Sequence, residues 1–228
     1  MKFLIIGLGN FGAALALKLT EMGHEVIGVD NSMDKVSVLR DKLTHTVCLD
    51  STDVQAAGTL PIKEADAAIV AIGEDKGSSI MATAVLKQLN AKRVIGRAIS
   101  PLHETVLEAM GINEIIHPEA ETAERLAKRL DMKGIVDSFN LTDRYNIIEV
   151  KVPDRYVGQT IGEVNFRHKY NVVILTIIRS IEQKNILGMV HRVSEVVGVA
   201  APEMHFEKDD ILVLFGNIKD IQRLLDEA

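Results

Sequence analysis

Three glycines and one aspartate have the types and spacing of a phosphate-binding loop. Gly7, Gly9 and Gly12 follow the apolar run FLII and precede the helical pattern AALALKLTEM, and Asp30 ends the next apolar run, 18 residues after Gly12. In such a loop the first glycine permits a tight turn, the second lets the backbone approach a pyrophosphate, and the third lets helix and strand pack closely. The pattern therefore predicts a bound dinucleotide or adenosine phosphate. The alternative is a strand-turn-helix whose glycines serve only the turn.

The position of Asp30 narrows the expected ligand. A carboxylate at the end of the second strand accepts hydrogen bonds from ribose hydroxyls and repels a 2′-phosphate. NAD(H), ATP, ADP or AMP is therefore expected in preference to NADP.

Polar groups also follow the later apolar runs. Asp50, Ser51 and Thr52 follow the third run, Ala71 to Gly73 end the fourth, and Arg97 ends the fifth. Open parallel sheets bind ligands at the carboxyl ends of their strands, so these groups could frame an adenine and reach a phosphate. The alternatives are a helix N-cap for residues 50–52 and a surface ion pair for Arg97. The full set of predicted binding residues is Gly7, Leu8, Gly9, Asn10, Phe11, Gly12, Asp30, Asn31, Asp50, Ser51, Thr52, Ala71, Ile72, Gly73 and Arg97.

The elements that would position these groups alternate between short β-branched runs and helical stretches. Six strand candidates occur before residue 120, namely KFLIIG, EVIGVD, HTVCLD, ADAAIVAIG, KRVIGRAI and EIIHPE. Continuous apolar strands such as AAIVAI indicate a parallel sheet covered by helices on both faces. The expected fold class is α/β, a Rossmann-type domain followed by a small α+β domain.

The pattern changes after Pro118. EAETAERLAKRLDM predicts a charged helix whose narrow apolar face carries Ala123, Leu126, Ala127 and Leu130. GIVDSFNLTDRYN is interpreted as a polar connector, and three apolar runs with a final amphipathic helix follow it. We therefore predict domains at 1–136 and 137–228.

Composition excludes several classes of function. The net charge of −6 opposes a nonspecific grip on nucleic acid, and no apolar stretch approaches the roughly 18 residues that a membrane helix needs. The single cysteine, Cys48, excludes an internal disulfide and suits a reducing cytosol.

A dehydrogenase would share the glycine loop, but no recognisable proton-donor constellation accompanies it. His117 is the histidine nearest the predicted ligand edge, and a structural role is favoured for it. An NAD-dependent oxidoreductase remains the alternative to a non-catalytic protein.

Several segments together resemble the regulator-of-potassium-conductance family, also called RCK or TrkA-type subunits. The segments are IGLGNFG, GHEVIGVD, LDSTD, AIVAIGED and LEAMGINEIIHPE, of which IIHPE is the more particular. The resemblance implies a cytoplasmic subunit that dimerises, commonly forms an octameric ring, and docks beneath a membrane potassium channel or transporter. It also implies that the charged helix crosses onto a neighbouring subunit, with packing on its own domain as the alternative.

The resemblance extends to particular residues. Glu119 lies where some relatives place a carboxylate that coordinates a divalent cation, although it could also complement the helix N-terminus. Some relatives bind cyclic di-AMP between two C-terminal domains, and Ile177, Ile178 and Pro202 occupy broadly comparable places. The segment 181–201 fits that pattern poorly, which favours a plain hydrophobic dimer interface. Asn10 replaces the basic residue that ATP-selective relatives carry after the second loop glycine, so ATP-specific sensing is not expected.

Overall fold

The computed structural model describes residues 1–131, 134–142, 144–184 and 190–227. The chain divides into two compact units, Met1–Ala120 and Glu121–Ala228. Residues 185–189 of the segment 181–201 lie outside the described residues.

The first unit is a six-stranded parallel sheet in the order β3-β2-β1-β4-β5-β6, with helices between the strands. Its strands coincide with the six predicted runs, so the predicted α/β fold is confirmed. The strands are β1 (Lys2–Ile6), β2 (Glu25–Asp30), β3 (His45–Cys48), β4 (Ala67–Val70), β5 (Val94–Arg97) and β6 (Glu114–Ile116). The helices are α1 (Asn10–Glu21), α2 (Met33–Leu39), α3 (Val54–Ala57), α4 (Lys76–Gln88) and α5 (Pro101–Ala109).

The strand order places a crevice between β1 and β4. The chain runs outward from β1 through β2 and β3, then returns to the other side of β1 for β4, β5 and β6. All four residues of β4 are buried, as expected for a strand covered on both faces. Ligands of open α/β sheets bind at such a reversal, outside the carboxyl ends of the strands.

Local sequence signals explain where the helices end and begin. Gly23 and Gly111 follow α1 and α5 with φ of +84° and +75°, a left-handed conformation that glycine adopts without strain. Asp53 caps α3 by accepting hydrogen bonds from the N–H groups of Gln55 and Ala56. The predicted alternative, that residues 50–52 provide this cap, is therefore wrong.

Helix α6 (Pro118–Asp131) begins in the first unit and ends in the second. None of its residues is buried, and Leu126 and Leu130 are 43% and 77% exposed. Its apolar stripe therefore has little cover among the described residues.

The second unit is a five-stranded antiparallel sheet in the order β10-β9-β11-β8-β7. Alternate residues of β8 and β11 are buried, and Ile221 and Leu224 of the last helix pack into the same core. The elements are β7 (Ile135–Asn140), β8 (Tyr145–Lys151), a 3-10 turn (Asp154–Tyr156), α7 (Ile161–Val164), α8 (Phe166–Tyr170), β9 (Val173–Lys184), β10 (Val190–Val196), β11 (Ile211–Asn217) and α9 (Ile218–Asp226).

The interpretation of residues 134–146 as a polar connector is wrong, because Ile135–Asn140 form the edge strand β7. Two of its polar side chains bind residues of α6. Asp137 pairs with Arg125 of α6, and Asn140 accepts a hydrogen bond from Lys128 and donates one to Glu124. The polar pattern therefore reflects partners on α6.

Candidate functional site

A cleft of about 380 Å³ opens at the carboxyl edge of the parallel sheet. It brings together the glycine loop and the ends of β2, β3, β4 and β5, which are far apart in the chain. Of the predicted binding residues, Leu8 and Gly12 do not line it. The lining consists of Gly7, Gly9, Asn10, Phe11, Val29, Asp30, Asn31, Lys35, Asp50, Ser51, Thr52, Ala71, Ile72, Gly73, Glu74, Asp75, Ser78, Arg97 and Glu119.

The three loop glycines differ in what surrounds them. Gly7 has a φ of +94°, and its N–H donates to the carbonyl of Val29 over 2.7 Å. A Cβ at Gly12 would lie 1.9 Å from the carbonyl oxygen of Gly7, whereas a Cβ at Gly9 would meet nothing within 4 Å. Gly7 and Gly12 therefore shape the loop, and Gly9 leaves backbone open to the cleft.

Helix α1 begins directly behind Gly9 and has no side-chain cap. The first N–H groups of a helix have no partner within the helix, and the helix dipole makes this end attractive to an anion. Helix α2 also lacks a side-chain cap, whereas α3, α4 and α5 are capped by Asp53, Asp75 and Ser100. The α1 terminus is therefore suited to a phosphate group.

Asp30 is buried and hydrogen-bonded to the backbone on both sides. Its Oδ2 accepts from the N–H of Leu8 over 2.7 Å, and its Oδ1 accepts from the N–H of Ser32 over 2.9 Å. Each carboxylate oxygen can accept more than one hydrogen bond, so both retain capacity toward ribose hydroxyls. Asp30 thus holds the glycine loop as well as lining the cleft.

Local hydrogen bonds lower the pKa values of two acids at the rim of the cleft, Asp50 and Asp75. The N–H and hydroxyl of Thr52 lower the pKa of Asp50 by donating to its Oδ1. The hydroxyl of Ser78 and the N–H of Gly77 lower the pKa of Asp75 in the same way. These acids add negative charge to the rim of the cleft.

Arg97 joins three walls of the cleft. Its Nη1 donates to the carbonyl of Ala71 over 3.0 Å, its Cζ lies 5.4 Å from the ring centroid of Phe11, and its Nη2 contacts Oε1 of Glu119. The ion pair predicted as the alternative for Arg97 therefore exists, with the arginine side chain 14% exposed and that of Glu119 62% exposed. Glu119 is the acid predicted as a cation ligand, and here it binds a guanidinium.

No cluster of three or more His, Cys, Asp or Glu side chains suited to a metal ion occurs among the described residues. The cation role of Glu119 stays a prediction. His117, considered as a proton donor, lies with its Nε2 3.1 Å from Oε2 of Glu104 and does not line the cleft.

Sequence reasoning missed the apolar Val29 and the polar Lys35, Glu74, Asp75 and Ser78. Glu74 and Asp75 directly follow Gly73, so the rule about strand ends could have found them. Lys35 lies in α2, and its Nζ is 3.5 Å from Oε1 of Glu74 across the rim. Its position depends on how α2 packs, for which the sequence carries no separate signal.

Comparison with known proteins identifies the family. The TrkA-N domain model matches residues 3–118, and the TrkA-C domain model matches residues 147–228. The chain therefore belongs to the TrkA-type, or RCK, family, as the resemblance predicted.

Two relatives match over nearly their whole length. The Ktr system potassium uptake protein C of Bacillus subtilis (strain 168) is 32% identical over 222 residues, which is 97% of this chain and 95% of that protein. The Ktr system potassium uptake protein A of the same organism is 31% identical, covering 100% and 96%.

Solved structures agree on the fold. The RCK domain of GsuK aligns with 99% of this chain and 47% of its own, with a TM-score of 0.64 and 18% identity. The GsuK channel bound to NAD gives a TM-score of 0.63 over 98% of this chain and 39% of that chain, also at 18% identity. At this identity the likeness concerns the fold alone.

Proposed function

We propose that this protein is a cytoplasmic regulatory subunit of a potassium channel or uptake system, which binds an adenine nucleotide without transforming it. The observation that carries the proposal is the cleft, because the glycine loop, the uncapped end of α1 and Asp30 meet there. Relatives named as potassium uptake proteins match nearly the whole chain and support the transport role.

The predicted domains, 1–136 and 137–228, have different tasks in this proposal. The first holds the ligand, with ribose at Asp30, adenine near Asp50 to Thr52, and phosphates at the glycine loop and Arg97. NAD(H), AMP, ADP and ATP all fit this description. The second domain contributes to assembly.

The charges of the cleft favour ligands with few negative charges. Its described lining holds five acids, Asp30, Asp50, Glu74, Asp75 and Glu119, against two bases, Lys35 and Arg97. Asn10 adds no positive charge at the loop. A divalent cation at Glu119 would have to compete with Arg97 for the carboxylate.

The lining argues against the alternative of an NAD-dependent oxidoreductase. Hydride transfer to a carbonyl requires a positioned proton donor, for which histidine, tyrosine and lysine are the usual side chains. Among the described lining residues, Lys35 is the one side chain of these types, and it is paired with Glu74. A binding role is therefore the better account of the cleft.

We propose assembly into a homo-oligomer, at least a dimer and by family resemblance an octameric ring, and exposed apolar surface supports this proposal. The stripe on α6 includes Leu126 and Leu130, and the second unit exposes Phe139, Val173 and Val199. The membrane partner is a potassium channel or transporter protein. Nucleic acid is not a partner, since the charge of −6 opposes it.

Contact with the membrane is proposed to run through that partner rather than through insertion. Across residues 1–131, 134–142, 144–184 and 190–227, no helix has both the length and the apolar character to span a bilayer.

Cyclic di-AMP at the second domain is the less favoured ligand. Of the three comparable residues, Ile177 is fully buried in the core of its own unit, while Ile178 is partly buried and Pro202 is exposed. A hydrophobic interface between two copies is the favoured use of this surface.

The test is reconstitution of the subunit with its membrane partner and measurement of potassium flux against nucleotide concentration. A ligand biases a gate only through its different affinities for the two states, and a coupling of about 1 to 3 kcal/mol is typical. We expect flux to change with nucleotide while the nucleotide is recovered unaltered. Flux indifferent to every adenine nucleotide, with binding intact, would reject the regulatory role, and turnover of the nucleotide would favour the enzyme.

A further inference from the structure

The two partners in the Arg97–Glu119 pair are unequally held. Arg97 is fixed by the carbonyl of Ala71 and the ring of Phe11, and it lies so close to Gly73 that a Cβ there would be 2.6 Å from its Cζ. Glu119 lies in the first turn of α6, and its side chain is 62% exposed. The guanidinium is therefore a fixed group, and the carboxylate is the partner that can leave.

Arg97 also has an unused donor. Its Nε is buried and has no hydrogen-bond partner among the described residues. Buried donors are normally paired, and leaving one unpaired is unfavourable. A phosphate offers three acceptor oxygens and can bind a guanidinium through two nitrogens at once. The carboxylate of Glu119 satisfies the guanidinium only in part.

We propose that Glu119 competes with the distal phosphate of the ligand for Arg97 and thereby sets which nucleotides the cleft prefers. This inference rests on the proposed nucleotide-binding function and concerns the cleft without a divalent cation, in which the Glu119 carboxylate opposes phosphate binding. The carboxylate lowers affinity for any ligand whose phosphate must replace it. Ligands that do not reach Arg97 leave the pair intact.

Sheet geometry determines which ligands reach Arg97. Asp30 ends β2 and Arg97 ends β5, and three strand spacings separate β2 from β5 through β1 and β4. At about 4.8 Å per spacing, this distance is roughly 14 Å. A ligand anchored by its ribose at Asp30 must extend past the glycine loop to contact Arg97. ADP and ATP extend in this direction by one and two phosphates more than AMP.

The experiment measures binding of AMP, ADP and ATP to the full-length protein by calorimetry, in buffer containing a chelator so that no divalent cation contributes. Glu119→Gln is expected to tighten ADP and ATP by about tenfold, the effect of one charge-assisted hydrogen bond, and AMP by less than about twofold. In an Arg97→Gln background the same substitution should give a much smaller gain, because only the general repulsion between one cleft acid and the phosphates is then relieved.

Two matched variants control for folding and for general charge. Glu114→Gln removes the same charge from the ion pair with Arg93, outside the cleft, and should alter none of the three affinities. Glu74→Gln removes one acid from the rim and should act similarly in the wild-type and Arg97→Gln backgrounds.

Unchanged or weaker ADP binding by Glu119→Gln would overturn the competition, as would equal gains in both Arg97 backgrounds. Absence of binding of all three nucleotides by the wild-type protein would instead overturn the proposed function, and the inference with it.

Discussion

The N–H of Leu8 donates a 2.7 Å hydrogen bond to Oδ2 of Asp30, joining the glycine loop to the end of β2. Both residues are buried, so the bond is shielded from water. The aspartate that a dinucleotide-binding pattern assigns to ribose thus also fixes the loop. Substitutions at Asp30 are expected to change stability and binding together.

Asp30→Ala should lower the free energy of unfolding, because the N–H groups of Leu8 and Ser32 would lose their acceptor. We expect a loss of about 1 to 3 kcal/mol, with a loss of nucleotide affinity of similar size. Asp30→Asn keeps one of the two acceptor oxygens and should fall between wild type and alanine. Urea denaturation and calorimetry measure the two effects, and equal stability of all three proteins would contradict the shared role.

Alanine at Gly12 should lower stability, whereas alanine at Gly9 should weaken nucleotide binding. Gly12→Ala places a Cβ 1.9 Å from the carbonyl of Gly7 and should cost roughly 1 to 3 kcal/mol of stability, or more. Gly9→Ala meets nothing within 4 Å and should leave the melting temperature nearly unchanged while weakening nucleotide binding. A thermally destabilised Gly9→Ala protein with normal affinity would reverse these assignments.

His103 should make the first unit less stable in mild acid. Burial, and then the charge of Lys76, lower the pKa of this histidine below its ordinary value of 6.5. The unfolded chain therefore binds the proton more readily, and stability falls as pH drops below about 6.5 toward the folded pKa. Unfolding followed from pH 8 to pH 5 should show this slope, and His103→Leu should flatten it. An unchanged slope in that variant would assign the effect to another group.

Asn10→Arg should increase the preference for ATP over ADP. Asn10 is exposed at the start of α1 and lines the cleft, so a guanidinium there can contact a terminal phosphate. We expect a change of about tenfold in the ratio of the two affinities, measured by calorimetry. Asn10→Gln lengthens the side chain without charge and is the control. An unchanged ratio would place the terminal phosphate away from this position.

Polar substitutions on α6 should dissociate the oligomer. The double variant Leu126→Gln and Leu130→Gln removes the apolar stripe, and sedimentation should show smaller species at micromolar concentrations. Leu102→Gln is the control, because it makes the same change at a leucine that is 75% exposed on α5, and it should leave the oligomer intact. If the double variant sediments as wild type does, the stripe is not the interface. A monomeric wild-type protein would contradict the proposed assembly itself.

The sequence predicted the strands of the first unit and the position of the cleft, but not the side-chain pairings made by tertiary packing. Each strand of the first unit is a short apolar run, which the sequence displays directly, and strand ends indicated the cleft. In contrast, β7 looks polar because Asp137 and Asn140 have partners on α6. The contact of Arg97 with Glu119 joins residues 22 apart in the chain, and only the folded structure reveals it. Pairings made by tertiary packing leave no local pattern to read.

Because β1 lies between β2 and β4, it is synthesised well before both of its neighbours in the sheet are available. The N–H of Lys2 donates to a carboxylate oxygen of Asp66, 64 residues later, at the point where β1 meets β4. At about 5 to 20 residues per second, a ribosome needs roughly 3 to 13 seconds to deliver that partner. Throughout this interval the edge of Leu4–Ile6 that later pairs with β4 has no partner, and exposed apolar strand edges promote aggregation. The nascent chain should therefore depend on chaperones at this stage more than the finished protein does.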